Sequence, residues 1–191
     1  MTFKSFINMV KSDLYRHDGR HSRKEFLQEL LFCPGFKFTF WMRTCHYLFQ
    51  YRKGPLIVFY AIARWIYNHY KFKYQIDIAF NAKIGKGFYI GHFGQIFIGE
   101  PVIIGDNCNV SQGVTIGGLN AGPLKGHPRL GNNVYVGPGT KIFGNIVVGD
   151  NCSIGPNSVV SKDLPENSVV MGNPGRIVGS NGSDDVVQYR S

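Results

Sequence analysis

By residue type, any of six histidines could take a proton from an alcohol, and two of them, His92 and His127, fall in the glycine-rich part of the chain after residue 75. His92 directly follows Gly91, His127 precedes Pro128 in a glycine-rich stretch, and Asp77 lies fifteen positions before His92. A neutral imidazole, with an ordinary pKa of about 6.5, can take a proton from an alcohol, which is otherwise a poor nucleophile. A carboxylate on the second ring nitrogen fixes the tautomer and stabilises the imidazolium. A lone surface histidine is more often structural, so the case depends on the elements that hold these side chains.

From about residue 76 the sequence repeats every six residues. Ile78, Ile84, Ile90 and Ile96 are in phase; after a two-residue shift the series continues at Ile98, Ile104, Val110 and Ile116. It returns at Leu130, Val136, Ile142, Val148, Ile154 and Val160, and glycine follows most of these positions. A six-residue period of this kind predicts a parallel β-helix, in which three short strands and three corners make one triangular coil. Fifteen residues is close to one coil, so Asp77 and His92 could lie on adjacent coils of one face. Between Ile116 and Leu130 the chain takes fourteen residues where twelve would keep phase, which predicts an ejected loop, Gly117 to Pro128, carrying His127. Asp106 and Asp150 fall in regular turns and read as structural.

Residues 1–75 read as helical. Ser12 or Asp13 is expected to cap a short early helix, and Ser22 with Glu25 has capping-box spacing. Pro34-Gly35 breaks the chain, and further helices are expected from about 36 to 52 and from about 56 to 71. The expected fold class is α+β, mainly β: a helical region (1–75), a β-helix (76–179) and a flexible polar tail (180–191). The formal charge is +9, and the basic residues are densest before residue 75. No nucleic-acid-binding motif accompanies them, so nucleic acid is not an expected partner. The aromatic-rich helices are read first as packing against the β-helix or another subunit, with peripheral membrane contact as the sharper alternative. Four dispersed cysteines and the lack of a leader or spanning segment predict reduced thiols and a cytoplasmic protein.

The motifs Asp77-Ile78, Gly91-His92, Ile98-Gly99-Glu100, Gln112-Gly113-Val114-Thr115-Ile116-Gly117-Gly118, His127-Pro128 and Gly172-Asn173-Pro174-Gly175-Arg176 resemble the hexapeptide-repeat acyltransferases, and among them the serine acetyltransferases. The resemblance spans residues 76–179. It implies a left-handed β-helix, a homotrimer, and acetyl-CoA as co-substrate in the groove between neighbouring subunits. By resemblance His92 is the general base and Asp77 its partner. His127, Glu100 and Gly91 belong to the acceptor site, and Gly117, Gly118, Gly137, Pro138, Pro156, Lys162 and Arg176 line the path of CoA. No metal is expected, since no set of histidines has the spacing of a β-helix metal site.

The chain departs from that family at two places. The aspartate that precedes the family's catalytic histidine is Gly91 here, and the arginine before its loop histidine is Gly126. Both departures remove charges that would hold an amino acid, and two glycines are expected to leave room for a larger acceptor. The sequence-based expectation is therefore acetyl transfer to a saccharide hydroxyl, with serine O-acetylation of cysteine biosynthesis as the runner-up. A non-catalytic trimeric scaffold is the alternative of a different class.

Overall fold

The computed structural model describes all 191 residues, apart from the side chain of Asp18. Four helices precede a solenoid: α1 (Phe3–Asp18), α2 (Arg23–Phe32), α3 (Pro34–Leu48) and α4 (Ile57–Lys73). Thr2 caps α1, its hydroxyl accepting from the Ser5 amide at 3.1 Å. Ser12 and Asp13 therefore lie inside a helix that starts ten residues earlier than expected. Ser22 caps α2, as its spacing to Glu25 predicts. Pro34 occupies the first turn of α3 rather than a loop, because an N-terminal position has no amide bond to lose.

The solenoid is the β-helix that the repeat predicts. Its first coil is β1 (Ile76–Ile78), β2 (Lys83–Ile84) and β3 (Tyr89–Ile90). The second is β4 (Ile96–Ile98), β5 (Ile103–Ile104) and β6 (Asn109–Val110). The third is β7 (Thr115–Gly117), β8 (Arg129–Leu130) and β9 (Tyr135–Val136), and the fourth β10 (Lys141–Phe143), β11 (Val147–Val148) and β12 (Ser153–Ile154). β13 (Val159–Val160) and β14 (Val169–Met171) follow, and β15 (Arg176–Gly179) folds back antiparallel on β14. These strands form three faces: β1-β4-β7-β10-β13, β2-β5-β8-β11, and β3-β6-β9-β12-β14-β15.

The inward aliphatics stack in columns. On the first face Ile78, Ile98, Ile116, Ile142 and Val160 are at most 2% exposed. Each such burial contributes roughly 1.5–3 kcal/mol, and no coil could make it alone. Asparagine ladders hold one set of corners: Asn133 donates to Asn151 at 2.9 Å and Asn151 to Asn167 at 3.2 Å. Asp150 accepts from the Asn132 amide at 2.7 Å, the turn role expected of it. Burial pushes the Cys45 and Cys108 thiols up to about 12, so they remain protonated.

The pairing register shows three departures from a regular coil, the last a shortened one in which Ile154 pairs with Val170, sixteen positions on. Leu130 pairs with Val148, eighteen positions on, which is the regular coil. Ile78 pairs with Ile98, twenty positions on, so the corner between β3 and β4 holds two extra residues. Ile104 pairs with Leu130, twenty-six positions on. The loop after β7 therefore ejects eight residues from a single corner, rather than the two extra that a twelve-residue phase implied.

The helices cap the first coil through a buried ion pair. Arg43 of α3 meets Asp13 of α1 at 3.1 Å, and both side chains are almost fully buried. Arg43 also donates to the Ile84 carbonyl at 2.8 Å, and Asp13 accepts from the Phe88 amide at 2.9 Å. Burial pushes the Asp13 carboxyl up, and Arg43 pulls it back.

Residues 180–191, expected to be flexible from their polar composition, lie against the solenoid. Ser183 and Val187 are buried, the Ser191 amide donates to Asn107 at 3.0 Å, and the Tyr189 ring stands edge-on to Tyr15 of α1. The corner asparagines supply the partners that a polar tail needs.

Candidate active site

His92 sits in the enlarged corner between β3 and β4, exposed to solvent. Asp77 is the outward residue of β1 and pairs in register with Phe97 of β4. Both therefore lie on or beside the first face at neighbouring levels of the solenoid. The partner that the structure gives the Asp77 carboxylate is the Lys71 ammonium at the end of α4, 2.6 Å away. Lys71, Asp77, Gln95 and Phe97 line one shallow pocket. Sequence reasoning missed Lys71, because nothing in the repeat registers a helix-borne side chain that reaches the first coil.

The next coil's equivalent of the His92 corner carries Gln112. The Gly113 amide donates to the Gly94 carbonyl at 2.8 Å, tying the two corners together. The Gln112 amide oxygen is buried without a hydrogen-bond partner. Such an orphan carries a desolvation cost and marks a position where a donor is wanted. Gln112 belonged to the quoted motif, yet its spacing alone gave no sign of this.

His127 lies at the opposite edge of the first face, where the ejected loop returns to β8. The loop closes as a hairpin, Leu119 and Gly126 exchanging backbone hydrogen bonds at 2.9 and 3.0 Å. His127 is half-buried, and its Nδ1 is buried with no partner. A Cβ on Gly118 would stand 2.2 Å from that Nδ1. The glycine at 118 thus makes room for the His127 ring.

A side chain would be tight at both Gly91 and Gly126. A Cβ at Gly91 would meet the Tyr89 ring at 3.1 Å, and one at Gly126 would meet Asn145 at 2.7 Å. Gly126 also has φ +135°, a conformation that side chains rarely adopt. Hairpin geometry, not acceptor size, accounts for glycine at 126.

Most of the residues expected along the CoA path fall on the two edges of the same face, while Arg176 lies on β15 of the third face. Gly137 and Pro138 follow β9, and Pro156 follows β12, at the edge that carries His92. Gly117 and Gly118 lie at the far edge with His127. Lys162 and Arg176 line one pocket with Val159, Ser161 and Pro174 near the end of the solenoid. Glu100 lies in the turn after β4 and accepts from Asn81 at 2.8 Å, a contact between successive turns on the β4–β5 side. One metal-type cluster, His17, Glu29 and Cys33, occurs among the described residues; it lies in the helical region, on α1, α2 and their junction with α3.

Comparison with known proteins agrees with this architecture. The bacterial transferase hexapeptide (six repeats) family model matches residues 127–162. The chain is 40% identical over 149 residues to the serine acetyltransferase of Helicobacter pylori, covering 78% of this chain and 84% of that protein. It is 39% identical over 156 residues to the serine acetyltransferase of Synechococcus elongatus, covering 82% of this chain. It spans only 62% of that relative's length. The structure of serine acetyltransferase from Brucella abortus in complex with coenzyme A superposes with a TM-score of 0.76 at 30% identity, covering 94% of this chain and 70% of that one. These relatives overturn the expectation of a saccharide acceptor. Its physical basis also weakens at Gly126, where the backbone conformation and the nearness of Asn145 account for glycine without any appeal to acceptor size.

Proposed function

The chain belongs to the serine acetyltransferase family, and from that premise we propose that it transfers the acetyl group of acetyl-CoA to the hydroxyl of L-serine in the cytoplasm. The observation that carries this reading is the 40% identity across most of a serine acetyltransferase of similar length, combined with two histidines at the two edges of one solenoid face.

In this reading His92 takes the proton from the serine hydroxyl as its oxygen attacks the thioester carbonyl. The tetrahedral intermediate carries an oxyanion, which backbone N–H groups of the Gly117–Gly118 segment stabilise. Collapse breaks the C–S bond, and the imidazolium returns its proton to the leaving thiolate. Asp77 orients His92 once substrate draws Lys71 away from it. With Gly91 and Gly126 offering no charge, Lys71 is the cation that receives the amino acid's carboxylate.

His92 and His127 lie at opposite edges of the first face of one chain, so a site that uses both needs a neighbouring subunit. This supports the homotrimer, with acetyl-CoA between two solenoids and Gly137, Pro138, Pro156, Lys162 and Arg176 along its length. Two experiments test the reading. Incubation with acetyl-CoA and L-serine should yield O-acetylserine, identified by mass spectrometry. Mixing inactive His92→Ala and His127→Ala subunits, then refolding them together, should restore part of the activity, because some interfaces regain both histidines. A mixture as inactive as its parents would place the site within one chain.

A further inference from the structure

We propose that the outer face of α4, with the basic segments at its two ends, is a docking surface for an anionic phospholipid membrane. The inner face of the helix is accounted for, since Ala63 and Tyr67 are buried against α3 and the first coil. The outer face is not. Val58, Ile62, Trp65 and Phe72 are 59%, 52%, 72% and 77% exposed. With Ala61 and His69 they follow helical three- and four-residue spacing and form one stripe about 20 Å long. Ile57, Val58, Ala61, Ile62 and Trp65 line a shallow apolar depression along it.

The charge pattern selects the occupant. Residues 34–76 contain no aspartate or glutamate, and seven lysines and arginines. Arg43 is engaged by Asp13 and Lys71 by Asp77. Arg52 and Lys53 stand exposed before the stripe, and Lys73 stands exposed after it. An apolar stripe with an aromatic ring, ended by cations and free of acids, matches a helix lying in the headgroup layer of an anionic bilayer. A second copy of the same stripe is a poor occupant, because pairing would bring like charges together with no acid to offset them. α2 also exposes Leu27, Leu31 and Phe32, but Glu25 and Glu29 give it a different charge character. No helix among the described residues is long and apolar enough to cross a membrane, so the mode is to lie on the surface. This inference does not depend on the identity of the acetyl acceptor.

The test is flotation of the purified full-length protein with vesicles of phosphatidylcholine alone and of phosphatidylcholine mixed with phosphatidylglycerol. It is repeated for a variant carrying Ile62→Gln and Trp65→Gln, with light scattering to follow the mass of both proteins. The expected result is binding to the mixed vesicles about tenfold above the neutral ones, weakened by salt. The variant should lose that preference at unchanged mass, with its circular dichroism and thiol-release activity retained. Absence of binding to mixed vesicles would overturn the proposal, as would binding that the variant retains. A variant that falls to a smaller assembly would overturn it too, since another copy would then cover the stripe.

Discussion

At the scale of single residues, His92, Lys71 and Gly118 are the positions where substitution separates chemistry from folding. Replacing His92 with alanine should lower kcat by about 10²–10⁴-fold while CoA binding and the fold survive; steady-state rates with isothermal binding of CoA check this. Lys71→Met separates two roles. If Lys71 receives the acceptor's carboxylate, KM for serine rises while KM for acetyl-CoA is unchanged; if it only steadies Asp77, kcat falls and the serine KM holds. Gly118→Ala drives a methyl group into the His127 ring, whose Nδ1 would lie 2.2 Å away. The outcome expected is loss of turnover with little change in melting temperature, since the loop lies outside the stacked core. His92, Asp77 and His127 were singled out in the sequence by their resemblance to a family's motifs, and of the three only His127 also lies in the break of the repeat. Lys71 was not, because its relation to Asp77 exists only once α4 docks on β1. The glycines at 91 and 126 were visible but misread: composition shows that a side chain is missing, not that a Cβ there would press on Tyr89 or Asn145.

At the scale of elements, the eight ejected residues and the helical cap make separate predictions. Deleting residues 119–126 should return the third coil to the regular eighteen-residue spacing seen between Leu130 and Val148. The variant should fold with the circular dichroism of the parent and fail to turn over. Unfolding of that variant would mean that the hairpin is part of the core. Asp13→Asn leaves the Arg43 guanidinium buried without its counter-charge, which costs about 3–5 kcal/mol; denaturant unfolding measures it. The strands were legible from the six-residue period, because each inward aliphatic must meet its equivalents above and below. The length of α1 was not, since Ser12 and Asp13 resemble cap residues and only the packing of Asp13 on Arg43 shows otherwise.

At the scale of the whole molecule, the chain is a short solenoid closed at one end by helices and fastened along one corner by its own terminus. Removing residues 180–191 would uncover the surface beneath Val187 and the corner asparagines. The expected result is a lower melting temperature at unchanged kcat, read by calorimetry and activity on the same sample. The tail's docking was illegible because its partners are the corner positions of three different coils, which no local pattern links. The chain's fold follows from its repeat, and its family and proposed acceptor follow from its relatives. That acceptor is tested most directly by release of free thiol from acetyl-CoA by the purified protein in the presence and absence of L-serine. The expected result is saturable, serine-dependent release that His92→Ala abolishes; release no faster with serine than without it would rule serine out as the acceptor.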